Sequence, residues 1–305
     1  MRIGYPCINR SLGCSPARTF RLASYNDARL HETIAANLAC LHTIISWNAA
    51  RGLLFFRITS DLVPFASHPV CTCPWQEQFS DEFLVIGDLI RRHGFRISMH
   101  PDQFVLLNTP DEGVLRRSIA ELAYQVQVLD LMGLDNSVKV QVHVGGVYGN
   151  KTAGIDRFVR QYEQLDPAIR ARLAIENDER LYSISDCLAI HESTGIPVIM
   201  DSFHHALLNS GEEFVTLLEP VRKTWKVSDG IPMVDYSSQE PGKRTGAHAE
   251  HIVAHDFRQF LKTTRPADFD LMLEIKDKER SALEALVIAR GDPRVVAISP
   301  GRDLI

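Results

Sequence analysis

Apolar residues recur along this chain in two alternating rhythms. Short apolar runs at Arg2–Tyr5, Leu53–Thr59, Phe95–His100, Val138–Val144, Leu173–Glu176, Val198–Asp201, Ile231–Tyr236 and Phe269–Glu274 are bounded by turn residues and read as strands. Between them the period changes to three and four. Leu30, Ile34, Leu38, Leu41 and Ile45 fall on one face of a helix from Asp27 to Trp47, a stripe that implies core packing rather than a partner. Leu115, Ile119, Leu122, Val126 and Leu129 define a second long helix that stops at Gly133. Ser80 is the expected N-cap of another, with Asp81 and Glu82 in its first turn and Gly94 at its stop. Further helices are expected at Ile155–Tyr162, Ile184–Ile190, Phe214–Val221, Ile252–Leu261 and Leu283–Ala289, with a short one before Leu173. Strict alternation of strand and helix implies a parallel sheet. Eight evenly spaced units predict an α/β fold of the (β/α)8 TIM-barrel type. One domain over 1–305 is expected, with 281–305 as the closing helix and C-terminal tail.

Composition narrows the class. The 305 residues are 45% hydrophobic, enough for one large core. No run approaches membrane-spanning length, and the first residues enter a strand rather than an apolar leader, so no membrane partner is expected and a soluble, cytoplasmic protein is. Six scattered cysteines argue against a disulfide framework, and Cys71-Thr-Cys73 lacks a second pair at zinc-ribbon spacing. The net charge of −5 offers no overall basic footprint for nucleic acid. Three bound divalent cations would add about +6, bringing the loaded protein to about +1.

The chemistry lies in what the apolar runs end on. Six of the eight end in His, Asp or Glu: His100, His143, Glu176, Asp201, Asp235 and Glu274. His204 follows Asp201 within a turn, and His248 lies in the loop Gly246-Ala-His248. A barrel points all its strand ends at one mouth, so these side chains would converge on the same ions. Singly, each has an ordinary alternative: Asp201 can cap a helix, and the histidines can be surface residues. Together, imidazoles and carboxylates without thiolate suit Mn²⁺, Zn²⁺ or Fe. So many ligands call for two or three ions, with Glu176 as a central bridge. Such clusters clamp the oxygens of a phosphoryl displacement and acidify a water. Phosphodiester hydrolysis is the natural chemistry; sugar isomerisation or epimerisation on a metal-bearing barrel competes, and a catalytically idle barrel that only binds DNA is a third reading.

The strings His100-Pro-Asp-Gln-Phe104, His143-Val-Gly-Gly146, Ile175-Glu-Asn-Asp178, Asp201-Ser-Phe-His-His205, Tyr236-Ser-Ser-Gln239, Gly246-Ala-His248 and Leu273-Glu-Ile-Lys-Asp-Lys278 together resemble the UV damage endonuclease family, in family order and from Gly4 to about Lys278. The resemblance implies a TIM barrel related to endonuclease IV that holds divalent ions, Mn²⁺ first with Zn²⁺, Mg²⁺ or Co²⁺ as alternatives. It implies incision of double-stranded DNA immediately 5′ of cyclobutane dimers and (6-4) photoproducts, leaving a 3′-hydroxyl, by a protein expected to act as a monomer. Carried over residue by residue, it implies His100, His143, Glu176, Asp201, His204, Asp235, His248 and Glu274 as ligands, with His205 as a neighbour outside the set. Gln103 and Phe104 would probe the gap left by the flipped lesion, with Tyr5 and Asn9 beside the lesion pocket. Phe104 stands where some relatives carry Tyr. Met233 and Asp235 stand where some carry Lys and His, and Met233 cannot supply a charge. Glu176 and Lys276 are the expected catalytic residues; the plain alternative for Lys276 is a solvated lysine at a helix start. Arg51, Arg57, Arg91, Lys151, Arg180, Lys243 and Arg244 are candidates for a phosphate rail.

Overall fold

Eight parallel strands close into a barrel in sequence order, β1 (Ile3–Pro6), β2 (Phe55–Ile58), β3 (Arg96–Met99), β4 (Lys139–His143), β5 (Leu173–Glu176), β6 (Val198–Asp201), β7 (Met233–Tyr236) and β8 (Asp270–Leu273), in a computed structural model that describes residues 1–296. The expected single-domain TIM barrel is what the chain forms. Pairing of β1 with both β2 and β8 closes the ring. Each strand occupies four or five residues at the core of its apolar run, because closure lets only that stretch pair on both sides. The C-terminal helix spans Glu279–Ile288; the part of the expected tail at 297–305 lies outside the described residues.

The helices ring the sheet and bury their predicted stripes. Leu30, Ile34, Leu38, Leu41 and Ile45 of the helix Asp27–Ala49 are all buried against the barrel, each contributing about 1.5–3 kcal/mol by leaving water. The Asn26 side chain caps that helix by accepting from Arg29 N. The helix Ser80–His93 ends as expected on Gly94, at φ 64°, but Ser80 is not its cap. A short turn of helix at Trp75–Gln78 precedes it, and the Ser80 hydroxyl donates to Glu77 O, so the start is set by burial of Trp75 and Phe79 rather than by a polar cap. After β6 the chain turns at once into an unexpected helix, Ser202–Leu207.

The cysteines need a correction. Cys14 and Cys40 are joined in a disulfide, pinning the loop after β1 to the long helix; Cys7, Cys71, Cys73 and Cys187 are free thiols. Scattered spacing argued against any bridge, but folding brings the loop onto the helix face that carries Cys40. Among the described residues, no helix is long and apolar enough to cross a membrane.

Candidate metal centre

Register places the strand-end ligands side by side. His143 of β4 is the Cα partner of Glu176 on β5, and Asp201 of β6 is the partner of Asp235 on β7. Glu176 is buried and stands at the meeting point. Its Oε2 lies 3.4 Å from His100 Nε2 and 4.0 Å from His143 Nε2, and its Oε1 lies 3.3 Å from His204 Nδ1. Two groups of ligand atoms, each within 4.8 Å of one another, result: His100, His143 and Glu176, and Glu176, Asp201 and His204. The expected central bridge is therefore the residue both groups share.

Asp201 caps a helix with one carboxylate oxygen and leaves the other without a hydrogen bond among the described residues. Its Oδ1 accepts from Phe203 N and His204 N, both at 2.7 Å, capping the helix that carries His204. Among the described residues its Oδ2 has no hydrogen-bond partner, nor do Glu176 Oε1 and Asp235 Oδ1, all buried. Orphaned buried carboxylate oxygens are costly unless something positive meets them, so the donor set fits divalent cations with mixed nitrogen and oxygen ligands.

Backbone carbonyls orient three of the imidazoles, those of His100, His204 and His248. His100 donates from Nδ1 to Pro101 O at 2.8 Å and His248 from Nδ1 to Glu274 O at 2.9 Å, which fixes each ring through its Nδ1 and leaves Nε2 clear of the backbone. His204 Nδ1 lies 3.0 Å from Asn177 O. The close turn after His143 depends on Gly145, at φ 111°, where a Cβ would sit 2.3 Å from Asn108 Oδ1.

Asp235, Glu274 and His248 form the other side of the mouth, outside those two groups. A buried arginine organises it. Arg57 Nη2 donates to Asp235 Oδ2 at 2.7 Å and to Gln141 Oε1 at 2.9 Å, and Nη1 donates to Glu274 Oε1. Gln141 passes the linkage on, donating to Asp235 Oδ2 at 2.6 Å and to Glu176 Oε2. Electrostatics follow from this crowding. Burial alone would raise Glu176, but His143, His100 and His204 hold it well below the usual carboxylate range. Burial opposes charge on His204, yet Asp201 and Glu176 outweigh it and lift its pKa to about 11. Burial pushes Asp235 up to about 7, with Glu176 and Glu274 adding to it against Arg57. Desolvation of the half-buried Glu274 acts upward, but Arg57 outweighs it and brings its pKa down to about 2.

The other expected residues fall in several places. Gln103 and Phe104 are exposed on the loop after β3, Phe104 by 74%, beside a cleft that also meets His100, His248 and Glu274. Tyr5 and Asn9 are buried beneath the mouth. The Tyr5 hydroxyl donates to Asn48 Oδ1 at 2.7 Å and accepts from Asn9 Nδ2 at 2.8 Å, while Asn9 Oδ1 accepts from Ser11 N and Leu12 N, so in this conformation the pair shapes the loop after β1 rather than presenting a surface. His205 turns away, Nε2 against Glu212 O at 3.0 Å, as expected of a residue outside the set. Lys276 lies on the rim and donates to Glu250 Oε1 at 2.7 Å.

The phosphate rail divides by topology. Lys151, Arg180, Lys243 and Arg244 follow strand ends and are exposed on the mouth side. Arg51 and Arg91 instead precede β2 and β3, at the far end, where Arg91 donates to Met132 O and Gly133 O. Neither can reach a duplex lying across the mouth. Arg57, expected on the rail, is the buried floor of the site. Sequence reasoning missed Gln141, although its position two residues before His143 on the same strand puts it on the same face.

Comparison with known proteins comes to the same place. The pattern of the family described as UV-endonuclease UvdE matches residues 1–293. A UV DNA damage endonuclease of Clostridium perfringens is 35% identical over 290 residues, which cover 94% of this chain and 70% of that one. The crystal structure of SacUVDE superposes with a TM-score of 0.92 at 44% identity, covering 96% of this chain and 99% of the other. A D-tagatose 3-epimerase-like protein superposes at 0.59 with 12% identity, which is a likeness of fold alone.

Proposed function

We propose, on the premise that this chain belongs to the UV-endonuclease UvdE family, that it is a metal-dependent DNA repair endonuclease acting on double-stranded DNA and cutting immediately 5′ of UV photoproducts to leave a 3′-hydroxyl. The observation that carries the reading is the pair of ligand groups sharing Glu176 at the barrel mouth, beside a loop that offers an exposed aromatic ring. His100, His143, Glu176, Asp201 and His204 would hold two ions, with Asp235, His248 and Glu274 completing the acidic wall on which a third could draw. Mn²⁺ suits this mixture of imidazole and carboxylate best, with Zn²⁺, Mg²⁺ and Co²⁺ as alternatives. When bound, such ions supply charge to the phosphoryl oxygens and acidify a water.

The chain's own groups do the rest. Glu176 ties the two ligand groups to one point, and Gln141 and Arg57 hold Glu176, Asp235 and Glu274 in fixed relation before substrate arrives. Phe104 can wedge where poorly stacked, damaged bases leave the helix, which costs less than extruding intact ones, so lesion selectivity needs no sequence reading. Lys151, Arg180, Lys243 and Arg244 are placed to meet the backbone as a rail. Tyr5 and Asn9 support the lesion side from beneath.

The test is nicking of UV-irradiated supercoiled plasmid by the protein, as a monomer, with Mn²⁺. Conversion to open circle above an unirradiated control, with a 3′-hydroxyl that a polymerase extends, is expected. Retention on irradiated duplex without a cut, or ketose epimerisation without DNA cleavage, would replace this reading by a binding protein or a sugar epimerase.

A further inference from the structure

Two non-glycine residues with left-handed backbone face the same cleft. Cys7 stands at φ 72° just past β1, and Lys278 at φ 59° and ψ −115° at the start of the helix Glu279–Ile288. The cleft, of about 600 Å³, also takes in Arg57, His100, Phe104 and Glu274, so it joins the metal centre to the wedge loop. Backbone conformations of this kind persist only where surrounding structure imposes them, and they gather at functional sites. Here the imposing contacts are visible. Lys278 N donates to Ile275 O at 3.1 Å and its carbonyl accepts from Ala282 N at 3.1 Å. The adjacent Glu279 is buried and accepts from Arg10 N and Ser11 Oγ.

What this placement achieves is a cation with no direct partner among the described residues. Among the described residues Lys278 enters no ion pair and no side-chain hydrogen bond, whereas Lys276, two residues earlier, is committed to Glu250. Burial draws the Lys278 ammonium below the ordinary lysine range, with Cys7 and Glu274 acting the other way. A half-buried, unpaired ammonium is stabilised by an anion that enters from solvent. Lysine as a compact point charge suits a phosphate oxygen approached from one side.

We infer that Lys278, rather than Lys276, holds a backbone phosphate of the incised strand against the metal centre. This rests on the endonuclease reading and deepens it. The decisive variant is Lys278→Gly, because φ 59° and ψ −115° is the first central position of a type II′ turn, which glycine occupies without strain. The substitution therefore relaxes the backbone while it removes the charge. Lys278→Gly is expected to keep or raise its melting temperature and to keep its Mn²⁺ content. It should lose about 100-fold in nicking of irradiated plasmid and about one unit from the slope of log affinity against log salt on irradiated duplex. Lys278→Arg, which keeps the charge, should recover much of the salt slope. Wild-type nicking or an unchanged salt slope in Lys278→Gly overturns the assignment, as does loss of nicking confined to Lys276→Met. The wild-type arm reports separately on the endonuclease reading: if it does not nick, that reading has failed, whatever Lys278 does.

Discussion

Arg57 Nη2 lies 2.7 Å from Asp235 Oδ2, with both side chains buried. The guanidinium also pairs with Glu274, so one internal cation serves two of the acids that ring the mouth. Removing one partner of a buried pair leaves the other charge uncompensated, at a cost of about 3–5 kcal/mol. Arg57→Met should therefore lower the melting temperature of metal-free protein by several degrees. Added Mn²⁺ should stabilise the variant more than the wild type, because it binds the folded acids alone. Equal melting of the two metal-free proteins would remove Arg57 from this role.

Glu176→Gln keeps the shape of the central residue but takes away its charge. Nicking of irradiated plasmid should fall by at least about 10²–10³-fold, the loss seen when one preorganised electrostatic contact is removed. Metal content, measured on the purified protein, should fall with it while circular dichroism stays unchanged. The same activity loss is expected of wild type treated with chelator, reversed by Mn²⁺. Near-normal nicking in Glu176→Gln would dissolve the metal assignment.

Phe104 is largely exposed, so Phe104→Ala should leave stability within about 0.5 kcal/mol of wild type. Loss of a stacking face is worth about 1–3 kcal/mol per base. Incision of irradiated DNA should accordingly drop by about 10- to 100-fold at low substrate, with Mn²⁺ content retained. Phe104→Tyr, which preserves the ring, should behave as wild type; equal loss in both variants would show that the ring face is not what matters.

Far from the mouth, hydrogen bonds from Arg294 and Arg265 hold the Asp292 carboxyl well below the usual carboxylate range. A folded-state pKa below the unfolded value of about 3.9 means stability that is fully present above about pH 4 and lost as pH falls below it. Asp292→Asn should cost about 1.5–3 kcal/mol at pH 7, the scale of charge-assisted hydrogen bonds. The gap between variant and wild type should narrow by pH 3, as urea unfolding at the two pH values would show. A gap independent of pH would assign the loss to packing instead.

Most of the fold was legible because its signals are local. An apolar run of four to six residues, a three-to-four period, and a glycine at a helix stop each involve neighbours in sequence, and the eight strands and their helices formed where those signals lay. The gathering of acids and imidazoles was legible for a related reason: in a closed parallel barrel every strand end faces one mouth, so position along a strand already implies position in space. Asp201 illustrates the limit, since capping and metal binding looked like alternatives, whereas one oxygen caps the helix and the other is left toward the site without a hydrogen bond among the described residues.

By itself, then, the amino-acid sequence determined the order of elements, the barrel, and which acids and imidazoles would stand at its mouth, all consequences of periodicity and strand direction. Only the tertiary structure decided which atoms face one another. It made Glu176 the residue common to both side-chain groups, moved Arg57 from the expected rail to the buried floor, and sank Tyr5 and Asn9 beneath the loop. It also paired Lys276 with Glu250 while Lys278 has no partner among the described residues, and it joined Cys14 to Cys40. Each of these depends on distances between segments remote along the chain, set by barrel closure and side-chain packing, to which no local pattern of residues corresponds.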